Sequence, residues 1–247
     1  MMSYWTRLNQ LAAIRFATKR AWRVPLTPMI SFTFDDFPRS ALKVGGRLLM
    51  EHGWRGTYYS SLALMGKVID GQVMYTRVDL DDLRSDGHEL ACHTFDHVRC
   101  LDVGTPTFVA SCAANRRGAA EMLGGYQMRN LSFPHGQVTI QAKYLLRHFY
   151  DTCRSTEVGI NTSPIDLCLL RANQLYSRLP LEHAMRLVTE NCEARGWLIF
   201  YTHDISPQAS RFGCTPKEFG TILRFVGESG AAVVTIEEGV KRLTAAG

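Results

Sequence analysis

The sequence predicts an α/β protein, a distorted (β/α) barrel of about seven parallel strands with an extra N-terminal helix. Short apolar runs rich in β-branched and aromatic residues alternate with longer segments of helical periodicity. Such alternation is typical of a parallel sheet with helices outside it, and about seven repeats of the unit favour a barrel. The 247 residues, 46% of them hydrophobic, are enough to bury a core of that size.

The predicted elements follow one another regularly from Met29 onward. Strands are predicted at 30–34, 57–60, 89–92, 130–133, 149–153, 198–201 and 232–235. Helices are predicted at 40–52, 77–86, 107–124, 138–147, 181–195, 216–229 and 236–244. Thr215 and Glu218 have the spacing of a capping box at the start of one of them. We therefore expect an N-terminal helix and linker over residues 1–28 and one barrel domain over 29–247.

Residues 4–22 predict an amphipathic helix, which a proline-containing segment then ends. Trp5, Leu8, Ala12 and Phe16 fall on one face, and most basic residues fall elsewhere. Two interpretations stay open. The apolar face packs against the barrel, as in most amphipathic helices, or the helix is a basic, aromatic anchor on a membrane surface.

Composition excludes several classes of protein. The net charge of +5 comes without a long Lys/Arg run, so nucleic acid is not an expected partner. Seven scattered cysteines without a Cys-x-x-Cys pair argue against a disulfide framework and favour a reducing compartment. No apolar run reaches the ~20 residues that span a bilayer, and basic residues interrupt any signal-peptide core. The expected location is cytoplasmic, with the inner face of the membrane as the alternative.

Three predicted strands end in side chains suited to catalysis: Asp35 with Asp36, His93 with His97, and His203. The carboxyl ends of barrel strands form the active-site face, so these side chains should meet. Adjacent carboxylates repel one another unless a cation or a shared proton relieves them. Two histidines four residues apart can share a metal from one helical turn, and with Asp36 they would leave coordination sites open for water and substrate. Each motif alone has an ordinary structural interpretation, but the three together are specific.

These motifs resemble the polysaccharide deacetylase family, carbohydrate esterase family four. The matching residues, spread over about 29–240, are Thr33-Phe-Asp-Asp36, His93-Thr-x-x-His97, a Pro-x-Gly loop and His203-Asp204. The resemblance implies a divalent metal, usually zinc, held by Asp36, His93 and His97, although such a ligand set also suits iron, cobalt or nickel. It also implies that Asp35 is the general base and His203 the general acid.

The third motif of the family departs from the usual pattern. Ser132 stands where the family has an arginine that pairs with the base carboxylate, and His135 stands where an aromatic residue is common. The backbone N–H of His135 can still serve the oxyanion, because that role needs no side chain. We predict that Arg154, at the end of the next strand, supplies the missing positive charge near Asp35. Arg171 is the weaker alternative.

The fourth motif of the family, an Asp–Trp pair, has no clean counterpart. Asp151, Asp166 and Asp204 are alternatives for the carboxylate that orients His203, and Asp204 has the further interpretation of a cap for the segment after it. Cys92 adjoins His93 but should face away from it on an alternating strand. Four aromatics are expected to lie in the core rather than stack on a sugar: Trp54, Tyr58, Tyr59 and Trp197.

The resemblance therefore implies a metal-dependent hydrolase that removes an N-acetyl group from an amino sugar or saccharide intermediate. Two alternatives remain. One is a deacylase acting on another amide, such as a formyl group, at the same metal site. The other is a catalytically silent glycan-binding barrel, which Ser132 and the missing fourth motif favour. The intact set of Asp35, Asp36, His93, His97 and His203 argues against it, because binding alone does not need all five.

Overall fold

The computed structural model describes residues 4–244. Its strands are β1 (Arg20–Ala21), β2 (Met29–Phe34), β3 (Thr57–Ser60), β4 (Val68–Ile69), β5 (Gln72–Val73), β6 (Glu89–Cys92), β7 (Asn130–Ser132), β8 (Thr152–Arg154), β9 (Ile165–Asp166), β10 (Asn173–Gln174), β11 (Trp197–Thr202) and β12 (Ala232–Val233). Its helices are α1 (Tyr4–Arg15), α2 (Arg47–Glu51), α3 (Arg77–Ser85), α4 (Cys100–Met122), α5 (Ile140–Leu146), α6 (Leu181–Ala194), α7 (Pro216–Glu228) and α8 (Ile236–Thr244). Shorter helical turns lie at Ala41–Gly46, Leu62–Leu64 and Pro134–Gly136.

Eight strands form one parallel sheet that curves into a barrel. Their order is β10-β11-β2-β3-β6-β7-β8, and β12 pairs with the first residues of β2. A parallel bridge joins Arg154 of β8 to Leu170, just before β10, so the two ends of the sheet approach each other. The distorted (β/α) barrel predicted from the sequence is confirmed.

Alternation along the strands separates two apolar layers. On β2, Ile30, Phe32 and Phe34 join the outer core between the sheet and the helices, and the Phe32 ring lies edge-on 5.5 Å from Phe219 of α7. Met29 of the same strand belongs to a second cluster inside the barrel. Because side chains alternate, Asp35 continues the inward-facing series at the carboxyl end of this strand.

Several elements differ from the prediction; helix α4, for example, begins at Cys100 rather than at residue 107. The strand predicted at 149–153 begins only at Thr152, because the N–H groups of Phe149 and Tyr150 bond to the carbonyl of Leu146 and prolong the end of α5. The two-residue strand β10 was not predicted, since Asn173 and Gln174 give no apolar run. The capping box of Thr215 and Glu218 is confirmed.

The N-terminal helix is shorter than predicted and packs through another face. It ends at Arg15 rather than near residue 22, and Arg20 and Ala21 instead pair with β9. Ala13 is buried, whereas the predicted packing residues Leu8 and Phe16 are exposed.

Polar contacts fasten this extension to the barrel. The N–H of Ile140 in α5 bonds to Asn9 Oδ1, and the buried Lys143 ammonium donates to the carbonyls of Ala13 and Phe16 at 2.6 and 2.8 Å. Its third partner is Asp166, 2.5 Å away. Lys143 thus satisfies one carbonyl in the last turn of α1, that of Ala13, and the carbonyl of Phe16 directly after the helix.

Among residues 4–244, none of the helices has the length and apolarity that crossing a bilayer requires.

Candidate active site

Asp36, His93 and His97 converge at the carboxyl-end face of the barrel. Asp36 Oδ1 lies 3.0 Å from His97 Nε2 and 3.6 Å from His93 Nε2. One ligand atom from each of the three residues lies within 4.8 Å of the other two, which is close enough for all three to bind one cation. The structure therefore brings the three predicted metal ligands together.

The ligand atoms of this cluster are arranged to bind a metal and do not satisfy one another by hydrogen bonds. Asp36 Oδ1 is buried but accepts no hydrogen bond of good geometry within the described residues, despite the nearby imidazole nitrogens. A buried carboxylate oxygen without a partner is costly, and a cation at the common point of the three side chains would satisfy it. Two imidazoles and one carboxylate are ligands that suit zinc.

His93 is held in the tautomer that a metal ligand requires. Its Nδ1 lies 2.8 Å from the backbone carbonyl of Ser132, so Nδ1–H donates and the Nε2 lone pair faces Asp36. Burial lowers the pKa of His93 to about 4, so the ring is neutral at physiological pH. Both features favour coordination, because only neutral imidazole binds a metal.

Left-handed backbone shapes the site. Five of the seven non-glycine residues with positive φ in the described chain lie around it: Asp36, Phe37, Thr94, His97 and His135. The segment from His93 to His97 is accordingly irregular, with a bend at Phe95 and Asp96, and not the helical turn expected from the sequence. Its shape depends on Ser111, whose hydroxyl accepts the N–H groups of Phe95 and Asp96. Strained backbone of this kind is concentrated at functional sites, where it positions side chains.

Arg154 lies against Asp35, as predicted. Its Nη2 is 2.5 Å from both carboxylate oxygens of Asp35 and 2.5 Å from Ser132 Oγ. All three side chains are buried. Ser132 is small enough to leave room for the guanidinium, so the arginine missing at position 132 is replaced by one reaching across from the neighbouring strand. Arg171, the weaker alternative, is exposed and donates to the carbonyl of Val158.

Two tyrosines enclose the Arg154 guanidinium. The rings of Tyr59 and Tyr201 have their centroids 5.0 and 4.9 Å from its carbon Cζ. Burial by itself would lower the pKa of Arg154, but Asp35 and the tyrosines raise it, so the cation is retained. Sequence reasoning did not assign this role to either tyrosine. The period-two alternation was the available signal, since Tyr201 and His203 share a strand face.

His203 lies on the other side of Asp36, with its Nε2 3.7 Å from Asp36 Oδ2. Its ring is 5.2 Å from Phe212 and 6.1 Å from Tyr176, two aromatic neighbours that the sequence analysis missed. Its Nδ1 has no hydrogen-bond partner within residues 4–244.

None of the three candidate carboxylates orients His203. Asp204 accepts the N–H and hydroxyl of Ser210 and so caps the loop that follows, which was its other interpretation. Asp151 pairs with Arg129, and Asp166 pairs with Lys143.

His135 lies at the mouth of the site with its side chain exposed. Its ring centroid is 5.0 Å from that of His97, and its φ of 57° turns the backbone within the Pro134–Gly136 loop. Burial and the neighbouring His97 lower the pKa of the ring.

The remaining residues singled out in the sequence belong to the core. Cys92 accepts a hydrogen bond from Asn115 at 3.3 Å and lies in the outer layer, facing away from the metal ligands. Tyr58, Tyr59 and Trp197 are buried, and Trp54 packs partly buried against the outer core.

Comparison with solved structures shows the same fold in several carbohydrate esterases. The chitin deacetylase from Colletotrichum lindemuthianum has a TM-score of 0.63 at 13% identity, with 90% of this chain and 92% of that chain covered. The family 4 acetyl xylan esterase from Clostridium thermocellum, in complex with a cobalt ion, has a TM-score of 0.60 at 18% identity, covering 87% and 91%. The Bc1960 peptidoglycan N-acetylglucosamine deacetylase has a TM-score of 0.61 at 13% identity, covering 88% and 89%.

A search of curated proteins finds no match. The polysaccharide deacetylase family model, however, matches residues 24–149, which contain Asp35, Asp36, His93 and His97. Because the matched segment makes up just over half of the sequence, this chain belongs to the polysaccharide deacetylase family.

Proposed function

We propose that this chain is a metal-dependent hydrolase that removes an N-acetyl group from an amino sugar or saccharide intermediate. The observation that carries the proposal is the convergence of Asp36, His93 and His97 beside the Asp35–Arg154 pair and His203. A metal site, a carboxylate and an imidazole close together at one face of the barrel are the groups that amide hydrolysis needs.

Asp36, His93 and His97 would hold the metal, for which zinc is the best match to the ligand types. When bound, such a metal acidifies a water molecule and polarises an acyl oxygen. The hydrogen bond from His93 to the Ser132 carbonyl fixes the direction of its lone pair. Asp36 supplies the one negative charge of the ligand set.

Asp35 is the proposed general base. Arg154 holds the carboxylate in one orientation, which positions it to accept a proton from water. The surrounding tyrosines and Ser132 keep the guanidinium in place. None of these neighbours is a carboxylate that would compete with Asp35 for the guanidinium.

His203 is the proposed general acid, on the far side of Asp36 from His97. From there its Nε2 can give a proton to the departing amine, a task suited to imidazole near neutral pH. The backbone N–H of His135, which bonds to no other described backbone group, is the proposed donor to the developing oxyanion.

An N-acetylated amino sugar is the favoured substrate class. By their names, the chitin deacetylase and the peptidoglycan N-acetylglucosamine deacetylase act on polymers of such sugars. The partly buried ring of Phe212, 5.2 Å from that of His203, is an aromatic surface on which a sugar can stack. A cytoplasmic location for this reaction remains a prediction.

The silent glycan-binding barrel loses its main support. Ser132 favoured it because the charge beside the base was missing, and Arg154 provides that charge from the neighbouring strand. The missing fourth motif still favours it, because His203 Nδ1 has no hydrogen-bond partner within residues 4–244.

Metal content and acetate release test the proposal. We expect wild-type protein to hold about one equivalent of zinc by elemental mass spectrometry after incubation and dialysis, and His93→Ala to hold far less. His52→Ala is the matched control, because His52 is exposed and stacks on Trp54 away from the site. The zinc-loaded protein should then release acetate from N-acetylglucosamine oligomers.

Each outcome has a defined meaning. Equal metal content in wild type and His93→Ala would refute the metal site. Metal binding without acetate release, but with release of formate from N-formylated sugars, would show that the acyl group removed is formyl and not acetyl. Metal binding without either activity would favour the silent barrel.

A further inference from the structure

Large apolar side chains are exposed in unusual number near the N-terminus. Of the thirteen such residues in the described chain, six lie between residues 8 and 26. They form what we term the apolar patch: Leu8, Leu11, Phe16, Trp22, Val24 and Leu26. Leu11, Phe16 and Trp22 are 60–67% exposed. Single exposed apolar residues are ordinary, but a concentration of this kind marks an interaction site.

The helix that carries two of these six residues, Leu8 and Leu11, is already fixed to the barrel by polar contacts. Lys143 of α5 donates to the backbone carbonyl of Ala13 in α1, and Asn9 of α1 accepts the N–H of Ile140 in α5. The Ala13 side chain is buried. The exposed face of α1 is therefore not needed to attach the helix to the barrel. Leu145 and Phe149, at the end of the adjacent α5, are also exposed.

The electrostatic surroundings of the patch are basic. The 34 residues that precede Asp35 contain five arginines and lysines and no acidic residue. Asp151 and Asp166, which contact the segment after α1 through Lys19 and Arg20, are already paired with Arg129 and Lys143. Arg20 is exposed and lies with its guanidinium 5.8 Å from the centre of the Trp22 ring. Apolar and aromatic side chains among arginines match the interface of an anionic bilayer.

The position of α1 brings this surface close to the mouth of the barrel. Asn9 contacts Ile140, the first residue of α5, and α5 begins five residues after His135. The middle of α1 thus lies beside the first residue of α5, a short distance along the chain from the loop that borders the candidate active site.

From these observations we propose that the apolar patch binds the surface of an anionic lipid bilayer, with α1 lying in the interface. The inference goes beyond the proposed function and does not depend on it. The patch carries none of the metal or catalytic residues.

The test is co-sedimentation of the full chain with phosphatidylcholine vesicles, with and without phosphatidylglycerol. We expect binding to the anionic vesicles to be at least about tenfold stronger than to the neutral ones, and to weaken in high salt. Replacing Leu11, Phe16 and Trp22 by serine should abolish it. In that variant the Phe16 carbonyl still accepts from Lys143, so α1 should stay docked.

The matched control replaces Val68, Val73 and Val78 by serine, since these residues are 55–65% exposed on other elements. This variant should bind vesicles as the wild type does. Equal loss in both variants, or no sedimentation of the wild type with anionic vesicles, would overturn the proposal. So would a wild-type dimer that the first triple variant converts to a monomer, because the patch would then cover a second copy. The salt dependence of the wild type needs no variant and tests the charge argument even if a variant misfolds.

Discussion

The guanidinium of Arg154 forms a buried ion pair with Asp35 in which one nitrogen faces both carboxylate oxygens at 2.5 Å. Ser132 Oγ lies at the same distance from that nitrogen. The three side chains come from the ends of three strands. The guanidinium carried by β8 therefore neutralises the carboxylate that follows β2. Exchanging the residues at positions 132 and 154 tests whether location or charge matters.

We expect Arg154→Ser to lower the catalytic rate by about a hundredfold or more, because the proposed general base, Asp35, loses the cation that orients it. It should also cost about 3–5 kcal/mol of stability, since the Asp35 carboxylate stays buried without a partner. The double variant Ser132→Arg/Arg154→Ser should regain part of both losses, measured by acetate release and urea unfolding. A double variant no better than Arg154→Ser would contradict the exchange.

For His203 we expect an effect on rate alone. His203→Ala should lower kcat by about 10²–10⁴, because the departing amine loses its proton donor, with little change in KM. Zinc content should stay near that of the wild type, since His203 is not in the ligand cluster. His183→Ala, which removes an exposed histidine on α6, is the control. Loss of zinc from His203→Ala would make it a ligand instead of an acid.

Lys143→Met should destabilise the whole protein. The substitution leaves the Asp166 carboxylate and the carbonyls of Ala13 and Phe16 without their donor in a buried place, which costs about 3–5 kcal/mol. Urea unfolding measures the loss, and the exposed Lys217→Met should leave stability unchanged within about 0.5 kcal/mol. A small effect of Lys143→Met would mean that the contacts of the N-terminal extension contribute little to the stability of the protein.

Glu89 gives a pH-dependent prediction. It lies at the floor of the barrel and accepts hydrogen bonds from Thr57, Asn130 and the N–H of Glu237. Burial raises the pKa of Glu89 from 4.5 to about 7 in the folded state. The carboxyl group binds its proton more tightly when folded, so its contribution to stability is complete below pH 4.5 and is lost as the pH rises through 7.

The stability of the wild type relative to Glu89→Gln should therefore fall by about 3 kcal/mol between pH 4.5 and pH 8. Urea unfolding of both proteins across this range measures it. The difference between the two proteins isolates Glu89, because all other titrating groups are shared. A difference that grows with pH would show that the hydrogen bonds to the carboxylate outweigh burial.

The sequence predicted the parts of the site that lie at strand ends. Asp35, Asp36, His93 and His203 follow apolar runs, and parallel topology requires such ends to meet at one face. Arg154 was predicted from a missing charge at position 132. That argument succeeds because a carboxylate inside a barrel needs a cation, whichever strand supplies it.

The sequence failed where long-range contacts decide the conformation. The end of α1 is bound by Lys143, which lies more than a hundred residues away, and local periodicity extended the helix too far. The irregular segment from His93 to His97 depends on Ser111 and on left-handed backbone, which the spacing of two histidines does not reveal. The partner of His203 was sought among acids, whereas its neighbours are aromatic rings.

The left-handed backbone at Asp36, Phe37, Thr94, His97 and His135 implies a trade-off between thermal stability and catalytic competence. Glycine would adopt these conformations at lower cost, but at three of the positions it would remove a proposed ligand or a residue at the pocket mouth. A library selected only for heat resistance should therefore drift toward glycine and asparagine at these five positions and lose zinc as it does so.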